Sequence, residues 1–246
     1  MQPVTVQPVF VRTRNVRNFE VMMDALDLSR GEGRLGMIFG QAGRGKTRTA
    51  QWYAAHNRCV YLRMMSIWKH SETAFLHVLL KELGVRIPPA RKSACFVEAI
   101  DRIIADPRPI FIDEPEKMPR AYLELFRDLA DAGACPIILI GEEELPGFMS
   151  RDRRIWTRTF YQLEFEAIST TDVVMYAKES AGLNLSPDVA SILCKTKDGH
   201  RVTDGNFRVI KRTIYVLSQI CNARQTTEVT VDMAKIAVKT GLEDHK

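Results

Sequence analysis

An α/β fold is what this 246-residue sequence predicts: a five-stranded parallel sheet flanked by helices, then a small all-helical region. Three observations carry that expectation. Five short β-like runs alternate with helical patterns over the first two thirds of the chain. The first four runs are nearly continuous in apolar residues, as strands covered on both faces are. After residue 168 the strand patterns stop and only helical spacing follows.

The five runs are LGMIFG (35–40), CVYLRM (59–64), PIFIDE (109–114), PIILIG (136–141) and FYQLEF (160–165). Helical spacing begins at Lys46 and returns in TAFLHVLLKELG, ACFVEAIDRIIA and RAYLELFRDLADAG. In the last of these Tyr122, Leu125, Phe126 and Leu129 share one face, and Gly133 closes the helix. Four further helices are expected at about 171–181, 187–196, 206–223 and 230–240. Ser186-Pro187 and Thr230 read as helix starts, and Gly182, Gly199 and Gly241 as stops. The expected division is an α/β core over 1–168 and a helical lid over 169–246.

Composition narrows the class. Apolar residues make up 46% and charged residues 26%, ordinary proportions for a globular chain. Cys59, Cys95, Cys135, Cys194 and Cys221 form no CxxC pair, so they read as reduced thiols in a cytosolic compartment. The scattered histidines offer no metal cluster. The first ten residues lack the charged start and apolar run of a signal peptide, and no apolar run is long enough for a transmembrane helix. The net charge of +5 permits nucleic-acid binding without demonstrating it.

The chemistry-bearing motif lies between the first strand and the next helix. Gly40, Gln41, Ala42, Gly43, Arg44, Gly45, Lys46 and Thr47 satisfy G-x-x-x-x-G-K-T in full, with Arg48 following. Glycines let backbone N–H groups curl around phosphate oxygens, and the helix N-terminus faces the same anion. Lys46 is expected at the β- and γ-phosphates and the Thr47 hydroxyl on Mg²⁺. A chance glycine turn is the bland alternative, but the loop sits where the mechanism needs it. The second half of the site is PIFIDEPEK, whose strand delivers Asp113 and Glu114 at its C-terminal end, where ligands bind in open α/β sheets. Asp113 is expected to hold Mg²⁺ and Glu114 to polarise an attacking water.

These motifs, with the strand count and the helical tail, resemble the AAA+ ATPases, P-loop NTPases with a helical lid. Within them FVRTRNV, MIFGQAGRGKT, IFIDEPEKMP and CPIILIGEEELPGFMSRDRRIWTR resemble the transposition-regulator group of Mu B-, TnsC- and IstB-like proteins. The resemblance covers nearly the whole chain. The resemblance is to the ATPase core, and the additional N-terminal DNA-binding domain of the Mu B protein is expected to be absent. The resemblance implies an arginine acting in trans on a neighbouring subunit's nucleotide. Arg151, Arg153, Arg154 and Arg158 are all candidates, with Arg154 favoured. It also implies a phosphate sensor at Arg208 in DGNFRVIKR, although an ordinary helix arginine would simply sit in solvent.

One position departs from the family pattern. The fourth strand ends in Gly141 followed by Glu142, Glu143 and Glu144, where a neutral polar sensor is usual. A carboxylate there would repel the terminal phosphate, which fits a slow timer better than a fast motor.

The resemblance further implies an ATP-dependent homo-oligomer or filament on double-stranded DNA that recruits or activates a transposase. Its setting would be the cytoplasm of a bacterial host, on the nucleoid and away from membranes. Candidate DNA contacts are Lys69 with His70, Arg86, Arg91 and Lys92 in the loop 84–93, and Lys117 with Arg120; each also reads as a solvated surface cation. Trp68 reads as a partly buried aromatic rather than a stacking platform. Two other functions share the same ATP chemistry: an AAA+ switch acting on a protein partner without DNA, and a helicase or initiator loader. No winged-helix pattern follows the lid to favour the loader.

Overall fold

The computed structural model describes residues 3–28, 35–133, 135–194, 196–197, 200–201 and 205–243. They form two compact units: Asn18–Gln41 with Lys46–Phe165, and Met1–Arg17 with Ala42–Gly45 and Glu166–Lys246.

The first unit is built on a sheet of β1 (Leu35–Phe39), β2 (Val60–Arg63), β3 (Ile110–Asp113), β4 (Ile137–Ile140) and β5 (Thr159–Glu164). All neighbours are parallel and the order is β2-β3-β4-β1-β5. Alternate side chains go to opposite faces. Met37, Leu62, Ile110, Ile112, Ile137 and Leu139 join one core with residues from α3 (Glu72–Glu82), α4 (Lys92–Ala105) and α5 (Ala121–Gly133). Ile38, Phe111, Ile138 and Ile140 join the other, with Ala50 of α2 (Lys46–His56) and with Phe19, Met22, Met23 and Leu26. Those last four lie on α1 (Arg14–Leu28) at helical spacing. Each fully buried Phe or Leu contributes about 1.5–3 kcal/mol, which is why this helix holds to the sheet. Gly36 makes the approach possible, since a Cβ there would meet Met22 Cε at 2.5 Å.

Two short helices, α6 (Leu145–Ser150) and α7 (Arg153–Trp156), fill the connection from β4 to β5. The sequence reading passed over both, because helices of one to two turns have too few positions to show a period. Trp68 is 7% exposed, edge-on to Phe75 at 6.0 Å, and its carbonyl accepts the Tyr122 hydroxyl at 2.5 Å. It is a core residue.

The second unit packs α8 (Thr170–Ala181), α9 (Pro187–Cys194), α10 (Phe207–Ala223) and α11 (Val231–Glu243) around Val173, Tyr176, Leu193, Ile214, Leu217 and Ala237. Ser169 and Asp172 close a reciprocal capping box on α8, and Gly182 ends it in the left-handed region at φ 67°. The N-terminal strand of chain is held here too. The Asn222 amide pairs with both backbone groups of Val4, at 2.7 and 2.9 Å, and Gln7 N donates to Ser180 O at 2.7 Å.

Two expectations change. Gly241 does not stop its helix, because α11 runs through it to Glu243. A Cβ at Gly241 would lie 3.3 Å from Thr213 Oγ1, so this glycine serves the close approach of α10 and α11. The helix expected to reach residue 196 ends at Cys194, and Thr196–Lys197 pairs antiparallel with His200–Arg201. Gly199 lies outside the described residues.

Among the described residues no helix is long and apolar enough to cross a membrane. None of the five cysteines is in a disulfide: Cys95, Cys135 and Cys221 are buried and Cys59 and Cys194 half-buried. Burial pushes the Cys59 and Cys194 thiols up to about 11.

Candidate functional site

β1 ends at Phe39 and the chain turns through Gly40, whose φ is 135°. A Cβ at Gly40 would sit 2.6 Å from the Phe165 carbonyl oxygen, which no backbone adjustment of a larger residue avoids cheaply. Gly43 and Gly45 also have positive φ, 82° and 95°. The helix α2 then begins at Lys46 with no acidic residue in its first turn, so no carboxylate of that turn competes for its positive N-terminal end.

Lys46 is 8% exposed, and its ammonium donates to the carbonyls of Gly40 at 2.5 Å and Gln41 at 2.9 Å. Next to it, Thr47 Oγ1 donates to Asp113 Oδ2 at 2.9 Å, bringing together the hydroxyl and the carboxylate singled out from sequence. Both are hard oxygen donors of the kind Mg²⁺ takes alongside phosphate oxygens. With a glycine loop and a sheltered lysine beside them, the residues present fit a nucleotide and its cation. Tyr61 on β2 adds a contact the sequence reading missed: its hydroxyl donates to the same Asp113 oxygen at 2.6 Å. Burial, then that hydrogen bond, raises the Tyr61 phenol well above its usual range.

Within the loop, Ala42–Gly45 belongs to the helical unit. The Ala42 carbonyl accepts Asn206 Nδ2 at 3.2 Å, the Gly43 carbonyl accepts Phe207 N at 2.9 Å, and Arg44 Nη1 donates to Gly205 O at 3.4 Å. Asn206 Oδ1 accepts Arg208 N at 2.9 Å, capping α10. The Arg208 side chain is exposed, and Arg48 is exposed on α2.

Glu114 follows Asp113 in the left-handed region, at φ 62° and ψ 43°, a conformation that costs a non-glycine residue about 1–3 kcal/mol. Its carboxylate is clamped. Arg63 donates from Nε at 2.9 Å and Nη2 at 2.8 Å, and Lys117 donates at 2.6 Å. The Arg63 hydrogen bonds, and then Lys117, lower the Glu114 carboxyl to about 2 against an opposing effect of burial. A carboxylate so held is a weak proton acceptor near neutral pH. Arg63 was not foreseen, although the pairing register places it directly beside Asp113.

The acid at the end of β4 is also a different one from that expected. Glu142 is exposed, while its backbone N donates to Glu116 Oε1 at 2.9 Å. Glu116 Oε2 is buried without a hydrogen-bond partner and stands 2.5 Å from where a Gly141 Cβ would be. Burial raises the Glu116 carboxyl above its usual range.

Of the arginines between β4 and β5, Arg154 has a side chain 74% exposed, with Glu124 at 3.6 Å and Asp152 at 3.9 Å. Arg158 is paired with Asp131 at 2.7 Å, and Arg151 and Arg153 are exposed. The proposed DNA contacts separate. A cavity of about 370 Å³ brings Lys69, His70 and Lys92 together beside the start of α5, with Lys92 ion-paired to Glu72. Arg120 immediately precedes α5, Lys117 is spent on Glu114, and Arg86 and Arg91 are exposed on the loop before α4.

Comparison with known proteins agrees with this geometry. The family described as AAA domain matches residues 29–149. The "Mu-like prophage FluMu DNA transposition protein B" of Haemophilus influenzae is 22% identical over 213 residues, spanning 84% of this chain and 71% of that protein. Among solved structures, Cdc6p from Pyrobaculum aerophilum matches at TM-score 0.64 and 14% identity, over 96% of this chain and 70% of that one. The Aeropyrum pernix ORC2 protein in its ADPNP–ADP complexes matches at TM-score 0.63 and 14% identity, over 97% and 70%. Together the matched AAA domain and the likeness to a Mu-like transposition protein B support an AAA+ ATPase of the transposition-regulator group.

Proposed function

We propose that this ATPase is an ATP-dependent assembler on double-stranded DNA. It oligomerises on target DNA with little sequence preference, recruits or activates a transposase, and leaves when ATP is hydrolysed. The observation that carries a switch rather than a motor is the clamp on Glu114, which holds the hydrolytic carboxylate between Arg63 and Lys117. The DNA part is supported by the relative named as a DNA transposition protein and by the exposed cations Lys69, Arg86 and Arg91.

In this reading the loop amides and Lys46 hold the phosphates, while Thr47 and Asp113 hold Mg²⁺. The cation's contribution is to neutralise charge on the terminal phosphates. Glu114 orients the attacking water once it leaves its two cations. Arg154 reaches the nucleotide of a neighbouring subunit, and Arg208 reports the phosphate state to the lid. Lys69, Lys92, Arg86, Arg91 and Arg120 contact DNA phosphates, so binding weakens steeply with salt.

The test is binding to a labelled random-sequence duplex at fixed salt, with a non-hydrolysable ATP analogue, with ADP, and without nucleotide. Binding that requires the analogue, and that Lys46→Ala abolishes, supports the assembler. No binding in any state, from protein that holds nucleotide, replaces it with a switch acting on a protein partner.

A further inference from the structure

The geometry points to Asn206 as a positioning residue for the nucleotide phosphates, acting through the loop it holds. It rests on the reading of Gly40–Thr47 as the phosphate site. A trans peptide sets each C=O opposite the following N–H. Asn206 Nδ2 on the Ala42 carbonyl therefore turns the Gly43 N–H the other way, and Phe207 N on the Gly43 carbonyl does the same for Arg44 N–H. Successive amides fixed with their hydrogens on the side away from those bonds are what an anion-binding concavity requires.

Asn206 suits the task because it has an acceptor and a donor on one planar group. Its Oδ1 caps α10 by accepting Arg208 N at 2.9 Å, which leaves Nδ2 aimed at Ala42 O at 3.2 Å. The side chain lies flat on the loop: a Cβ at Gly43 would be 2.2 Å from Asn206 Oδ1. Glycine at position 43 is thus required twice, by its φ of 82° and by Asn206. The same side chain also secures the helical turn that carries Arg208.

The experiment uses the full chain and compares Asn206→Ser with the parent. Serine keeps the cap acceptor but has no amide to donate to Ala42. ADP and adenosine each compete against a fluorescent nucleotide, and the melting temperature is taken without nucleotide. The expected result is an ADP affinity lower by about fivefold, the worth of one ordinary hydrogen bond, with adenosine affinity unchanged. A purely structural role would weaken both ligands together. Because the ADP-to-adenosine ratio is read within one variant, it stands even where stability falls, and Asn206→Thr provides a second cap. An unchanged ratio in both variants overturns the inference. A parent protein that does not prefer ADP to adenosine overturns the phosphate-loop reading, and this inference with it.

Discussion

Replacing Arg63 by methionine isolates the clamp on Glu114, because methionine keeps most of the stem and removes the guanidinium. The Glu114 carboxyl lies at about 2 instead of its ordinary 4.5, a difference of about 3 kcal/mol between its two protonation states. Arg63 supplies two of the three hydrogen bonds described, but its side chain is 58% exposed, so solvent screens part of its effect. We assign it about 1–2 kcal/mol, which moves the carboxyl up by about one pH unit. Freed from its stronger partner, Glu114 is expected to reach its proposed water-orienting position more often. Basal ATP turnover is expected to rise by about fivefold, the equivalent of about 1 kcal/mol in the barrier. The assays are steady-state phosphate release at saturating ATP and the titration of the Glu114 carboxyl followed by carbon NMR. A midpoint still near 2 would show that Arg63 is not what holds the group. A midpoint that rises while turnover stays flat would refute the clamp as a brake.

Three further outcomes are expected. Glu114→Gln removes the carboxylate proposed to orient the attacking water and should prolong any ATP-dependent DNA complex under hydrolysing conditions; dissociation as fast as the parent's would take Glu114 out of the chemistry. Thr47→Ala should erase the difference in ATP affinity between Mg²⁺ and EDTA, measured by calorimetry, and a persisting difference would place the cation elsewhere. The lowered Glu114 carboxyl contributes stability that is present above pH 4.5 and lost as pH falls towards about 2. Denaturant unfolding across that window should therefore show a smaller loss in Arg63→Met than in the parent, and equal losses would contradict the assignment.

What the sequence revealed and what it hid follow from the range of the interactions involved. The phosphate loop was legible because its spacing is local, and β1, β3 and β4 because strands covered on both faces read as apolar runs. The pairing of Thr47 with Asp113 could be anticipated, since the loop that follows β1 and the end of β3 lie at the same C-terminal edge of one parallel sheet. Arg63 and Tyr61 were not read as site residues because nothing in CVYLRM sets them apart; only the register of β2 on β3 brings them to Asp113 and Glu114. Glu116 was hidden for a similar reason. In DEPEK it reads as one more surface carboxylate, and its burial depends on the absence of a side chain at Gly141, 25 positions later. The tie from Asn206 to Ala42 spans 164 positions, and no local pattern encodes it.

The five thiols have a practical consequence. Cys95, Cys135 and Cys221 are buried and burial pushes the Cys59 and Cys194 thiols up to about 11, which makes the native thiols poor nucleophiles. The unaltered chain should therefore be nearly silent towards maleimides. A single cysteine placed in solvent, as in Ile87→Cys at a position 89% exposed, would then carry one fluorophore without any native cysteine being removed. Assembly on DNA could be followed by energy transfer between such labels on a protein otherwise identical to the parent.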